Sequence, residues 1–181
     1  NITKIEERQF KELGFREREH LQEWIAKNPD VLGEELLIIQ KEYNGFNDTN
    51  ERLDLLALDK DGNLVIIENK LDDTGKDVVW QALKYTSYCS TLTTEQIIRL
   101  FQEYLNSYSK GNEDAKELLL EFLDREDDED LLLNSNDQRI VFIANNFRKE
   151  VTSTALWLLD HDIALQCFRA KPYSLGEELF L

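Results

Sequence analysis

The sequence predicts an α/β fold, with a mixed central sheet flanked by helices and a C-terminal helical and βαβ extension. Three observations predict it. Two strand-like segments joined by a tight turn follow a third strand, which predicts an antiparallel meander over residues 36–70. Apolar residues at helical spacing precede and follow that meander. Beyond an acidic run, a strand, helix and strand in residues 139–168 predict a right-handed parallel pair.

Each element has a local signal. Leu21, Trp24 and Ile25 lie at helical spacing within residues 17–27, and this helix should end at Asn28 because the residue before a proline avoids helical geometry. The other elements share apolar patterns of strand or helix type. They are a strand at 36–43, a helix at 78–90, two helices within 93–124 that form a lid or flank, a strand at 139–144, a helix at 151–159 and a strand at 163–168.

The turn of the hairpin sets its register. Residues 60–62 suit a three-residue loop that has Gly62 in the left-handed position. Counting back from this loop in antiparallel register places Asp54 directly opposite Glu68, with Lys70 two residues further along on the same face. A two-residue loop would slip the register by one and send Asp54 to the other face of the sheet.

Three charged side chains interrupt these apolar strands. Asp54, Glu68 and Lys70 stand among leucine, valine and isoleucine residues whose pattern predicts burial. A buried ionised group is costly unless it is paired or binds a metal. A functional site is therefore the favoured interpretation, and a structural ion pair between Asp54 and Lys70 is the alternative.

Composition limits the partners that the chain can have. With 181 residues and 41% hydrophobic content, it can form one domain over 1–181, with a core at about 17–90 and a flanking part at 93–181. The net charge of -16 opposes nucleic-acid binding unless a local basic cleft or a basic partner protein supplies positive charge. Much of the acid lies in residues 124–130, where a solvated connector is expected.

The cysteines and the apolar runs indicate a cellular location. Cys89 and Cys167 lack the spacing of a zinc site and are expected to be reduced thiols, which favours the cytoplasm. No apolar run approaches the roughly 20 residues needed to cross a bilayer, and the beginning of the sequence lacks the apolar stretch of a signal peptide. No membrane association is therefore expected.

The charged hairpin resembles a known nuclease signature. Asp54, thirteen intervening residues and the run Glu68-Asn69-Lys70 resemble the D-(x)n-(D/E)-x-K motif of the PD-(D/E)XK nuclease superfamily, although Leu53 replaces the proline of that motif. The resemblance implies a restriction-endonuclease-like fold. The helix at 21–29, the strand that carries Glu42 and the hairpin together resemble the catalytic domain of archaeal-type mismatch and branched-DNA endonucleases, and this resemblance covers about residues 17–90.

The helix after the hairpin adds to this resemblance. Gln81 and Tyr85 lie on one helix face and resemble the QxxxY motif of RecB-like nucleases. Residues 69–85 also resemble a bacterial family of uncharacterised nuclease-like proteins. The later strand that starts at Gln138-Arg139 and the helix around Trp157 share this resemblance.

The resemblance implies a nuclease that depends on Mg²⁺ or Mn²⁺ and hydrolyses phosphodiester bonds, with DNA as the expected substrate. Asp54, Glu68 and the backbone carbonyl of Asn69 would hold the ion, because hard divalent cations prefer oxygen ligands. Lys70 would orient the attacking water or stabilise the transition state.

Two further residues are expected to support this chemistry. The superfamily often adds a carboxylate from the first helix, and Glu17 is the preferred candidate, with Glu19 and Glu23 as alternatives. Arg52 should share a strand face with Asp54. It would either contact a phosphate or neutralise that carboxylate, and the structural role is preferred.

The QxxxY helix has a functional and a structural interpretation. Gln81 and Tyr85 would bind a phosphate or brace Lys70, or they would form an ordinary hydrogen-bonded pair one helical turn apart. The tryptophans lie on apolar helix stripes and are expected to pack. Only Trp80, next to Gln81, is a candidate for stacking on a base.

A second class of function fits the same fold. The chain would then be a non-catalytic module that binds nucleic acid or another protein, which its acidic balance favours. As a nuclease, it would act as a possible homodimer or together with a basic partner protein that supplies affinity for DNA.

Overall fold

The computed structural model describes residues 4–45, 52–73, 77–108, 111–127, 131–135 and 138–181. Within these ranges the chain forms eight strands and five α-helices, and they include every element that the sequence predicts. In chain order they are β1 (Glu6–Glu7), α1 (Glu23–Lys27), β2 (Leu37–Tyr43), β3 (Leu53–Leu58), β4 (Leu64–Asp73), α2 (Val78–Cys89), α3 (Thr94–Tyr108), α4 (Ala115–Phe122), β5 (Arg139–Asn146), α5 (Lys149–Leu159), β6 (Leu165–Arg169), β7 (Tyr173–Leu175) and β8 (Glu178–Phe180).

The first predicted helix forms in two parts. Residues Glu17–Gln22 make a π-helical turn, and α1 continues from it without a break. The chain leaves helical geometry at Asn28, where φ is −135°, as the following proline requires. Single π-turns are uncommon in proteins and are frequent at functional sites.

The main sheet has five strands in the order β2-β3-β4-β5-β6. Strands β2, β3 and β4 form the predicted antiparallel meander, and β5 and β6 add to it in parallel. All six residues of β3 are buried, because helices cover both faces of the sheet. The predicted α/β class with a mixed central sheet is confirmed.

The hairpin between β3 and β4 has the predicted loop. Gly62 lies at φ 79°, and the backbone N–H of Asp59 donates to the carbonyl of Asn63 at 3.0 Å. The Asp59 carboxylate also accepts hydrogen bonds from the backbone of the loop, which fixes the turn. The ladder pairs Leu55 with Ile67 and continues towards Asp54 and Glu68, so the register is the predicted one.

A β-bulge shifts the pairing of β2 with β3. Ile38 pairs with Ala57, whereas Gln40 pairs with Leu56, so β2 gains one residue at this point. Beyond the bulge the register places Glu42 across from Asp54. Bulges of this kind redirect side chains beside active sites.

Three apolar clusters form the core. The helices α2, α3 and α4 pack on one face of β2, β3 and β4, in the position of a flank. The π-turn and α1 cover the opposite face. The helices α2 and α5 pack on one face of β5 and β6, in a cluster that includes Phe142 of β5 and Val151 of α5.

Two features differ from the sequence predictions. Trp80 and Trp157 were expected to pack, but they are 66% and 57% exposed. A small antiparallel sheet of β1, β7 and β8 was also not predicted, because strands of two or three residues carry too little pattern.

Of the acidic run at 124–130, residues 128–130 lie outside the described ranges. No helix in the described ranges is long and apolar enough to cross a membrane.

Replacing Gly62 by alanine should destabilise the hairpin. A Cβ at this position would meet Leu133 Cδ2 at 3.3 Å and would force a left-handed conformation on an L-residue. The expected loss in the free energy of unfolding is about 1–2 kcal/mol, measured by urea denaturation. Gly62→Asn is the control and should lose less, because asparagine tolerates this conformation. Equal stability of Gly62→Ala and wild type would contradict the loop assignment.

Candidate active site

Asp54 is the buried centre of the charged cluster. It is the second residue of β3, and only 5% of it is exposed. Its Oδ2 accepts a hydrogen bond from the backbone N–H of Asn69 on β4 at 2.8 Å. Its backbone carbonyl accepts one from Nε2 of Gln22, in the π-turn, at 3.2 Å. The residue is therefore fixed between the first helical segment and β4.

Glu68 lies across the ladder from Asp54 and is 2% exposed. Its Oε1 is buried and has no hydrogen-bond partner among the described residues. A buried polar atom without a partner costs free energy in the folded protein, so it needs an explanation. An oxygen in this state is available to bind a ligand.

Lys70 and Glu17 complete the cluster. The Nζ of Lys70 lies 3.3 Å from Glu17 Oε1, 3.8 Å from Asp54 Oδ2 and 3.8 Å from Glu68 Oε2. The second oxygen of Glu17 accepts a hydrogen bond from the backbone N–H of Leu71 at 3.0 Å. One lysine therefore contacts three carboxylates.

Among the three glutamates that were considered for the first helix, the structure brings Glu17 to the cluster. Glu23 instead binds Lys41, with 2.7 Å between Oε1 and Nζ. Glu19 pairs with Arg16 on the exposed side of the π-turn. Glu17 is the first residue of the π-turn, and its carboxylate contacts Lys70 and the backbone N–H of Leu71 on β4.

The positive charge of Lys70 does not fully compensate the two buried carboxyl groups, because both of their pKa values stay above the ordinary range. Burial raises the pKa of Asp54 to about 6, although Lys70 and the N–H of Asn69 act in the opposite direction. Burial and then the charge of Asp54 raise the pKa of Glu68 well above its usual range. Burial lowers the pKa of Lys70, but the neighbouring carboxylates outweigh this and raise it, so the lysine stays charged.

These residues fit a divalent cation held partly by the backbone and by water. In the described ranges, no three carboxylate, imidazole or thiol side chains converge to form a metal site by themselves. Asp54 and Glu68 would therefore act with the Asn69 carbonyl and several waters, which Mg²⁺ retains readily. The unpartnered Oε1 of Glu68 and the raised pKa values of both carboxyl groups favour such an ion. The ligand set remains a prediction.

The QxxxY residues lie beside the site and differ in their contacts. Tyr85 is 2% exposed, and its hydroxyl donates to the backbone carbonyl of Arg52 at 3.2 Å, which braces the entry to β3. Gln81 is half-buried on the same helix. Its side chain makes no hydrogen bond to Lys70 within the described part of the chain, so direct bracing of the lysine by Gln81 is not observed.

Glu42 lies beside the site, although the sequence analysis gave it no role there and named only its strand. It lies across the β2–β3 ladder from Asp54 and is one of the charges that raise the pKa of that residue. Arg52 pairs with Glu42 at 3.9 Å and not with Asp54, so the expectation that it neutralises Asp54 was wrong. The position of Glu42 depends on the bulge in β2, and no residue pattern in this strand indicates that bulge.

Comparison with known families identifies the chain. Residues 17–137 match the family model of the Endonuclease NucS C-terminal domain. The chain belongs to this family. The matched range begins at Glu17 and contains all the residues of the cluster described above. The candidate site therefore lies within the part of the chain that matches the NucS C-terminal domain family. No curated protein sequence matches the chain.

Two solved structures resemble this NucS-family chain at low sequence identity. A repair endonuclease from Pyrococcus abyssi has 15% identity and a TM-score of 0.43, with 86% of this chain and 47% of that chain covered. An EndoMS–dsDNA complex has 14% identity and a TM-score of 0.42, with 84% and 44% covered. The chain therefore spans less than half the length of either protein.

The buried carboxylates predict a distinctive pH dependence of stability. The pKa of Asp54 in the folded protein, about 6, exceeds its ordinary value of 3.8, so its contribution to stability is complete below pH 3.8 and is lost as the pH rises through 6. In the absence of metal, wild type should lose roughly 2 kcal/mol relative to Asp54→Asn between pH 4 and pH 7. Urea denaturation across this range measures the difference. Parallel pH profiles would contradict the raised pKa.

Proposed function

We propose that this chain is a PD-(D/E)XK-type nuclease domain that uses Mg²⁺ or Mn²⁺ to hydrolyse phosphodiester bonds in DNA. The observation that carries the proposal is the cluster around Lys70, where two buried carboxylates lie side by side with one unpartnered oxygen. Membership of the NucS C-terminal domain family supports the same reaction class.

Asp54, Glu68 and the Asn69 carbonyl would hold the ion in this reaction. The bound ion supplies charge neutralisation on the phosphate and acidifies a water. The N–H of Asn69 donates a hydrogen bond to Oδ2 of Asp54. This bond fixes the orientation of the carboxylate, and Oδ1 would be the oxygen that binds the ion. Glu68 presents an oxygen that no protein donor occupies in the described ranges.

Lys70 would act as a charged group and not as a base. Its raised pKa keeps it protonated, so it can donate hydrogen bonds to the attacking water or to a phosphate oxygen. Glu17 contacts both its ammonium group and the next backbone N–H, which fixes the direction of the lysine. The reaction is attack of water on phosphorus, with cleavage of one P–O bond.

DNA is the proposed substrate because the chain belongs to a family named for an endonuclease, and because the buried carboxylates and Lys70 are the groups that act on a phosphodiester bond. The net charge of -16 makes broad attraction to DNA unfavourable. We therefore propose that a second copy of the chain or a basic partner protein contributes affinity.

Variants of the cluster should lose cleavage while keeping the fold. Glu68→Gln and Lys70→Ala should each reduce Mn²⁺-dependent cleavage of plasmid and oligonucleotide DNA by about 10²-fold or more, because each removes charge stabilisation at the phosphate. Circular dichroism checks the fold. Glu34→Gln, at the other end of the hairpin, is the control and should cleave like wild type. Unchanged cleavage by Glu68→Gln would refute the proposed site.

A non-catalytic module is the second candidate, and one observation favours it. Lys70 already contacts three carboxylates, as it would in a purely structural ion-pair cluster. This candidate predicts binding to nucleic acid or protein without metal and without turnover on any substrate. Metal-dependent cleavage by wild type would exclude it.

A further inference from the structure

Glu42 is held in an unfavourable state at the edge of the candidate active site. Its backbone lies at φ 52°, in the left-handed region that residues other than glycine adopt at a cost. Both of its carboxylate oxygens are buried and neither accepts a hydrogen bond in the described ranges, although each forms an ion pair with an arginine. Backbone strain destabilises the folded chain, and the ion pairs offset part of the cost of burying the carboxylate. Such features collect at functional sites.

Two arginines surround this carboxylate. The Nε of Arg18 lies 3.3 Å from Oε1 of Glu42, and Nη1 of Arg52 lies 3.9 Å from Oε2. The arginine side chains are 63% and 48% exposed, so they reach from the buried carboxylate to the surface. A guanidinium group binds carboxylate and phosphate oxygens with the same planar geometry. The two arginines therefore form an anion site that a carboxylate of the same chain fills.

The anion site adjoins the candidate catalytic carboxylates. Strands β2, β3 and β4 are neighbours, and they carry Glu42, Asp54 and Glu68 in one row across the sheet. Arg52 precedes Asp54 by two residues, and Arg18 follows Glu17 in the π-turn. The guanidinium groups of both arginines contact Glu42 on β2. They therefore lie at the opposite end of the row from Glu68 on β4.

We propose that Arg18 and Arg52 form a subsite for a backbone phosphate of a nucleic acid, and that Glu42 occupies this subsite until the phosphate displaces its carboxylate. This inference rests on the proposed function, because the subsite would bind a phosphate of the strand that enters the Asp54 and Glu68 site. The carboxylate keeps the arginines ordered in the absence of nucleic acid, and it also competes with the incoming phosphate. A locally basic site of this kind allows a very acidic chain to bind a polyanion.

Binding without cleavage tests the proposal. The probe is a fluorescein-labelled DNA duplex of about 20 base pairs, and EDTA in the buffer prevents cleavage. Fluorescence anisotropy measures its binding at several salt concentrations. Glu42→Gln should bind about 3–10-fold more tightly than wild type, because it removes the competing charge. Arg18→Ala/Arg52→Ala should bind at least about 10-fold more weakly, and its plot of log K against log salt should lose a slope of about 1.

Matched variants separate the subsite from a general effect of charge. Glu12→Gln removes a carboxylate that pairs with Arg8, and Arg8→Ala/Arg148→Ala removes two arginines that form ion pairs elsewhere. Glu42→Gly provides a second test of displacement, because glycine adopts φ 52° without strain. It should bind at least as tightly as Glu42→Gln. Thermal denaturation confirms that each variant is folded.

Four results would overturn the proposal. Three of them concern DNA binding, and these are wild-type affinity in both Glu42 variants, equal affinity of the two double-arginine variants, and failure of wild type to bind the duplex. A loss of Mn²⁺ binding in Glu42→Gln would also overturn it, because Glu42 would then be a metal ligand. The absence of cleavage with Mn²⁺, together with the expected binding pattern, would refute the nuclease function and leave the subsite intact.

Discussion

The structure depends on keeping two carboxyl groups, Asp54 and Glu68, buried next to each other. Each is almost fully enclosed, and burial raises both pKa values. Lys70 lies 3.8 Å from both and offsets part of the repulsion, while Glu17 holds the lysine in place. The remaining imbalance disfavours the folded chain unless protons or a cation supply more positive charge.

Two local backbone devices position the charges. The three-residue loop at Gly62 fixes β3 against β4, so that Asp54 faces Glu68. The bulge in β2 adds one residue and brings Glu42 across from Asp54. A shift of one residue at either device would turn the side chains to the other face of the sheet. The positions of the charged groups are therefore set by turn and bulge geometry at some distance from them.

The sequence predicts the part of the site that depends on short-range rules. The loop chemistry at Gly62 and the alternation of strand residues are sufficient to bring Asp54, Glu68 and Lys70 together. Glu42 was missed because bulges have no reliable sequence signal, and its role depends on one. The exposure of Trp80 was also not predicted, because an apolar stripe on a helix does not show which part of it another element covers.

Calorimetric titration of Mn²⁺ into the metal-free protein at pH 7 shows whether Asp54 and Glu68 hold a divalent cation. Asp54→Asn/Glu68→Gln removes the two carboxylates, and Asp59→Asn/Glu34→Gln removes the same charge from the other end of the hairpin, where both residues pair with Arg139. We expect binding to wild type and to the control variant, with release of protons, and no binding to Asp54→Asn/Glu68→Gln. Equal binding by all three proteins, or no binding by wild type, would contradict this expectation.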